Sequence, residues 1–208
     1  VYGTVFKVED FNHYVVYLGT GLVIWNAIAA SVSSAPSLFE YNAGHLKNTN
    51  LNPVFYSLEE WAFQVQSFLQ SFFLVILVLS FYQSSLFPNM IVAGILPLIN
   101  LVLFIYWIPL LLCLLGVRYR DLFQLVPIVI QLVFLLSPVL YDKKNLGNLG
   151  WTADFNPFYR VLSPFRHALL QGELKLGQSL IILAVNIVGI CIALLVLDRQ
   201  RKHLPFLV

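Results

Sequence analysis

The sequence predicts an all-α integral membrane protein, and three observations carry that expectation. Hydrophobic residues make up 59% of the 208 positions and charged residues only 11%, whereas a soluble domain averages roughly 45–50% apolar and about 25% charged. So little charge cannot cover the surface of a water-soluble globule. The apolar residues also fall in five runs long enough for a spanning helix, which needs about 20 mostly apolar residues. Finally, those runs are continuous, unlike the alternating segments of about ten residues that build a membrane β-barrel. The same composition excludes a disordered chain. The formal net charge of +2 comes from scattered Lys and Arg rather than a basic stripe, so nucleic acid is not an expected partner.

The first predicted span runs from about Tyr14 to Ala35. Gly19, Asn26, Ala30 and Ser33 share one of its faces, and Gly19-Thr20-Gly21 reads as a helix-packing feature rather than a phosphate cradle. From Pro36 to Asn52 the chain turns polar. Leu38, Phe39 and Leu46 supply a short apolar face there, so a short helix followed by an Asn-rich turn is expected. The second span covers about Trp61–Tyr82. Glu60, Gln64, Ser67 and Ser71 fall at i, i+4, i+7 and i+11 on one helical face, widened by Gln66 and Gln70.

The third span, about Ile91–Leu115, contains Pro97 and Pro109. The tight Arg118–Asp121 turn leads to a fourth span, about Leu122–Leu140, with Pro127, Pro138 and two glutamines, Gln124 and Gln131. Each proline removes a backbone hydrogen bond and kinks a helix. The loop from Tyr141 to Gly177 is rich in aromatics. Phe158, Leu162, Phe165 and Leu169 keep helical spacing, which predicts two short interfacial or re-entrant helices, the second starting near Pro164. The fifth span covers about Leu180–Leu197.

Orientation follows from loop charge. Short loops weigh most, so the Arg118–Arg120 turn and the Arg199–Lys202 tail are expected inside and the Tyr141–Gly177 loop outside. The chain opens on Val1 with no basic leader, and is expected to begin part-way through a longer protein.

Several chemistries are missing from the sequence. It holds no G-x-x-x-x-G-K-[ST] phosphate loop and no G-x-S-x-G elbow. His13, His45, His167 and His203 lie apart without metal-ligand spacing. Cys113 and Cys191 sit inside apolar runs, as inert buried thiols do. No ionisable residue lies deep in a span, which disfavours a proton-coupled pump or voltage sensor. Energy for any uphill step must therefore come from a partner. The polar stripes either glue helices together or line a wet path. The aromatics Tyr14, Tyr17, Trp61, Tyr82, Trp107 and Tyr141 form an interfacial belt by default, and such rings also stack on sugars.

A set of motifs narrows the choice. Gly116-Val117-Arg118-Tyr119-Arg120-Asp121-Leu122 is followed by Gln124-Leu125-Val126-Pro127, by Ser137-Pro138-Val139-Leu140-Tyr141 and by Phe155-Asn156-Pro157-Phe158. Last comes Phe165-Arg166-His167-Ala168-Leu169-Leu170-Gln171-Gly172. In that order and spacing they resemble the permease subunit of ABC-2 type transporters that export O-antigen, capsule and teichoic acid chains.

The resemblance implies one transmembrane domain over residues 1–208 in a bacterial inner membrane. It implies six spans and a cytosolic N-terminal amphipathic helix, so that helix and the first span would precede Val1. It further implies a homodimer carrying two separate ATPase subunits, and a lipid-linked polysaccharide as substrate, with undecaprenyl diphosphate suggested as the carrier. ATP and magnesium would bind the partner, and this chain would hold no cofactor and catalyse nothing itself. The family's coupling helix maps onto Pro36–Lys47, which here is poor in basic residues and runs into the Asn-rich stretch at 48–52. On that basis Glu40, His45 and Lys47, with Arg118, Arg120 and Asp121, are the expected contacts to the ATPase. Trp25, Asn26, Gln131 and Tyr141 are the expected path residues, and Phe158, Phe165 and Arg166 the exit gate. An exporter of drugs or small lipids, or a non-transport scaffold, is the alternative.

Overall fold

The computed structural model describes residues 11–48, 51–141, 143, 150–201 and 203–207. All regular structure among them is helical. α1 (Phe11–Ser34) continues through a tight turn into α2 (Leu38–Tyr41) and α3 (Ala43–Asn48). Then come α4 (Val54–Leu79), α5 (Leu86–Asn89), a π turn (Met90–Gly94) and α6 (Ile95–Arg118). α7 (Leu122–Leu136), α8 (Gly150–Phe155), α9 (Pro157–Gln171), α10 (Leu176–Gln200) and α11 (Leu204–Leu207) complete the order.

Among the described residues, four helical stretches are long and apolar enough to cross a membrane: Phe11–Tyr41, Val54–Leu79, Leu86–Arg118 and Leu176–Gln200. The fourth expected span is shorter than its apolar run. α7 holds 15 residues, about 22 Å at about 1.5 Å per residue, against a hydrocarbon core of about 30 Å. It stops because Ser137 takes an extended backbone (φ −91°, ψ 140°), as the residue before a proline prefers. α4 starts earlier than expected, at Val54. The Asn52 side chain accepts the Val54 N–H at 3.2 Å, and the helix carries Glu59 and Glu60 beyond the apolar window. The π turn lies just before Pro97, whose missing N–H removes the bond that an α-helix would make to Ala93.

The second helix of the hairpin expected outside starts at Pro157, not at Pro164. The Asn156 side chain caps it, accepting the N–H groups of Phe158 at 3.0 Å and Tyr159 at 3.4 Å, with Pro157 in the first turn. Both are strong helix-start signals. Pro164 lies within the helix, which ends at Gly172 in a left-handed conformation with φ 71°.

The chain crosses between two ends of the bundle. One, the hairpin end, gathers the start of α1, the end of α7, α8, α9 and the start of α10. The other, the turn end, gathers α2, α3, the Arg118–Asp121 turn and α11. In lipid, apolar burial alone drives helices together only weakly, so packing fit and buried hydrogen bonds position them. Ile24 and Ile28 of α1, Phe72 and Ile76 of α4, Leu101 and Ile105 of α6 and Phe165 of α9 interlock in the main core. A polar ladder joins α6 to α10. Trp107 Nε1 donates to Asn186 Oδ1 at 3.0 Å, Asn186 Nδ2 to the Asn100 carbonyl at 2.9 Å, and Asn100 Nδ2 to the Ser179 carbonyl at 2.9 Å. Gly189 leaves room for the Trp107 ring beside it.

Candidate functional site

At the hairpin end, the stop at Ser137-Pro138 leaves successive carbonyls without helical partners, which is costly away from water. Side chains from α1 and α9 meet them. Tyr17 Oη donates to the Pro138 carbonyl at 3.4 Å and the Tyr141 carbonyl at 3.0 Å, and Tyr14 Oη donates to the Leu140 carbonyl at 3.3 Å. Arg166 sends Nη1 to the Pro138 carbonyl and Nη2 to the Val139 carbonyl, both at 3.2 Å. Its guanidinium lies 4.0 Å from the centre of the Tyr17 ring. Asn156 Nδ2 donates to Ser137 Oγ, whose hydroxyl in turn donates to the Val133 carbonyl at 2.6 Å.

Arg166 is only 4% exposed. It fits because Gly21 of α1 has no Cβ, which would otherwise overlap the guanidinium. The S-P-V-x-Y, N-P and R-x-x-L-x-x-G segments are therefore one hydrogen-bonded clamp that seats the α8–α9 hairpin on the end of α7.

The expected gate residues take other places. Phe165 is fully buried, 5.4 Å centroid to centroid from Phe72. Phe158 is half-buried between Trp25 at 6.1 Å and Phe104 at 5.8 Å, and Arg166 belongs to the clamp. Among the path residues, Trp25 is buried at 4% exposure and packs on Phe134 at 5.4 Å. Its face of α1 turns into the protomer, so Trp25 and Phe165 fill the interior instead of lining an open surface.

Asn26, one residue on, is exposed. α1 is flanked by α4 and α7, and both carry outward amides: Gln66 and Gln70 on α4, Gln124 and Gln131 on α7. Tyr141 is half-buried, its hydroxyl donating to the Leu135 carbonyl at 3.3 Å. Burial raises its phenol above the ordinary tyrosine value.

The stripe on α4 divides. Glu60 and Gln64 turn inward, where Glu60 Oε1 accepts from Ser34 Oγ at 3.0 Å and from Gln64 Nε2 at 2.8 Å. That half ties α4 to α1. Gln66, Gln70 and Ser71 point away from the protomer. Several residues assigned to an interfacial belt also bond within the chain. Tyr14 and Tyr17 belong to the clamp, Trp61 Nε1 donates to the Val102 carbonyl at 2.9 Å, and Trp107 belongs to the ladder.

At the turn end, Phe39 and Leu46 are buried in a second cluster with Leu110, Leu114, Leu197 and Leu204. They anchor α2 and α3, and Gly116 lets α6 approach the Pro36 backbone closely. Glu40 Oε1 lies 3.7 Å from Arg120 Nη2, so the structure joins the α2–α3 segment to the Arg118–Asp121 turn. His45, Lys47 and Asp121 are exposed on the same end, Asp121 starting α7 and Arg118 lying 5.9 Å from the Tyr119 ring. Tyr41, 86% exposed, joins this surface. It drew no attention in the sequence because an exposed aromatic carries no spacing signal.

Residues 1–170 match the family described as ABC-2 type transporter. The chain belongs to that family. Two relatives, both named O-antigen export system permease protein RfbA and both from Klebsiella pneumoniae, are each 23% identical over 207 residues. The match covers 97% of this chain and 79% of theirs. The chain is thus a multi-pass ABC transporter permease, and its family implies an ABC ATPase as partner. Among the described residues, no three His, Cys, Asp or Glu side chains group to hold a metal ion.

Proposed function

We propose that this ABC-2 permease exports a lipid-linked polysaccharide of the O-antigen kind outward across a bacterial inner membrane. It does so as a homodimer driven by separate ATPase subunits. One observation carries the reading: Asn26, Gln66, Gln70 and Gln131 project outward from apolar helices. Amides at that depth avoid lipid, and in a dimer the two-fold axis offers them a shared wet route. Amides bind a sliding sugar chain weakly and repeatedly, as a conduit requires. The name of the two relatives supports the substrate class.

In this reading the surface of Glu40, Tyr41, His45 and Lys47, braced by Arg120, receives the ATPase stroke. The test is export by the assembled complex in vesicles. Asn26→Leu with Gln131→Leu should cut export several-fold while ATPase binding and melting temperature hold. Normal export by the double variant would move the route elsewhere.

A further inference from the structure

A pocket of about 350 Å³ opens where the outer hairpin meets the first turns of α10. α8 and α9 supply Asp154, Tyr159, Arg160 and Ser163, and α10 supplies Gln178 and Ile181. The clamp and the proposed route use none of them. Its lining holds one acid, Asp154, and one base, Arg160, and Lys143 beside it brings the local balance to one positive charge. The Asp154 carboxylate is already paired with Lys143 at 2.5 Å, so the Arg160 charge is uncompensated by it. Arg160 Nε donates to the Asp154 carbonyl, which fixes the guanidinium plane. Its two terminal nitrogens donate to nothing among the described residues. A planar guanidinium held this way offers a two-pronged donor matched to phosphate oxygens. Tyr159, Ser163 and Gln178 add neutral hydroxyl and amide groups around it.

The other wall is apolar and continues beyond the pocket. Ile181, Val185, Val188 and Ile192 follow i, i+4, i+7 and i+11 along α10, and all four are exposed, from 66% at Ile181 to 49% at Ile192. A hydrocarbon track therefore leads down the helix from a phosphate-sized cationic cup. α8 marks the depth. Trp151 and Phe155 are both exposed there with ring centroids 6.2 Å apart, and such rings settle at the head-group level.

We propose that this pocket holds the phosphate-bearing head group of a membrane lipid, whose chain lies along the exposed face of α10. A soluble anion has no use for the track, and a free sugar has no use for the guanidinium. The inference rests on α10 crossing the membrane and not on the exported substrate. Two lipids share the chemistry, an anionic bilayer phospholipid and a polyprenyl diphosphate.

The test is native mass spectrometry of the delipidated complex titrated with phosphatidylglycerol, with a polyprenyl diphosphate and with inorganic phosphate. The wild type should retain one phosphate lipid per chain. Arg160→Gln should weaken retention by about tenfold or more, the range of a charge-assisted hydrogen bond, and Arg160→Lys less. Ser163→Phe, which fills the cup but keeps the charge, should act like Arg160→Gln and carries the test should that variant fail to assemble. Lys175→Gln, outside the pocket, should change nothing. Preference for either lipid identifies the source. Wild-type retention by both Arg160→Gln and Ser163→Phe, or inorganic phosphate binding as tightly as lipid, overturns the proposal. A wild-type complex that retains the lipid but exports no lipid-linked polysaccharide would count against the proposed function alone.

Discussion

Replacing Arg166 by Met removes the centre of the clamp while keeping a long flexible side chain of comparable reach. The variant loses two hydrogen bonds, to the Pro138 and Val139 carbonyls, and the guanidinium face over Tyr17. Hydrogen bonds between membrane helices average about 0.6 kcal/mol and reach about 1.7, and a desolvated cation–π contact is worth about 2. The Pro138 carbonyl keeps Tyr17 as donor, so the Val139 carbonyl bears most of the loss. The expected destabilisation is about 3 kcal/mol, or a fall in melting temperature of about 6–12 °C for a chain of this size.

Thermal melting of the purified complex, followed by protease nicking in the outer hairpin, reads both the loss and its location. Gly21 supplies an independent check. Gly21→Ala places a methyl where the guanidinium lies, so it should be costly with Arg166 present and cost less in Arg166→Met, where the 3.1 Å approach to the Val139 carbonyl remains. Contacting residues couple in this way in a double-mutant cycle. If Arg166→Met melts with the wild type, or the two changes simply add, the clamp does not hold the hairpin.

Three further outcomes follow from the same geometry. Glu40→Arg should disturb stimulation of the ATPase while leaving melting within about 0.5 kcal/mol, since exposed ion pairs contribute little; adding Arg120→Glu should recover part of the stimulation in a coupled ATPase assay. Trp25→Ala should lower stability by about 2–3 kcal/mol, because the cavity and lost dispersion remain although the transfer-from-water part of the cost falls away in lipid; a normal melting curve with impaired export would instead return Trp25 to the route. Asn186→Leu should cost about 1–2 kcal/mol by stranding the Trp107 N–H, visible as altered indole fluorescence and earlier unfolding, and an unchanged spectrum would remove the ladder from the account.

Membrane class was legible in the sequence because composition and run length are one-dimensional properties that the bilayer reads directly. The buried pair Phe39 and Leu46 and the helical spacing from Phe158 to Leu169 were legible for the same reason: periodicity is written in the chain. The early stop of α7 and the start of α9 were also present, in Ser137-Pro138 and Asn156-Pro157, but apolar run length and Pro164 outweighed them. What periodicity lacks is phase against neighbours. Trp25 and Asn26 are adjacent in the chain and about 100° apart on α1, and only the flanking of α1 by α4 and α7 sent one inward and the other outward. Arg166 reads as a surface cation until Gly21 makes room for it beside carbonyls 27 and 28 positions away. The bond from Asn186 to Asn100 spans 86 positions. Isolated polar side chains acquire their partners only when the helices pack, since a hydrogen bond depends on a distance in space that no local sequence pattern encodes.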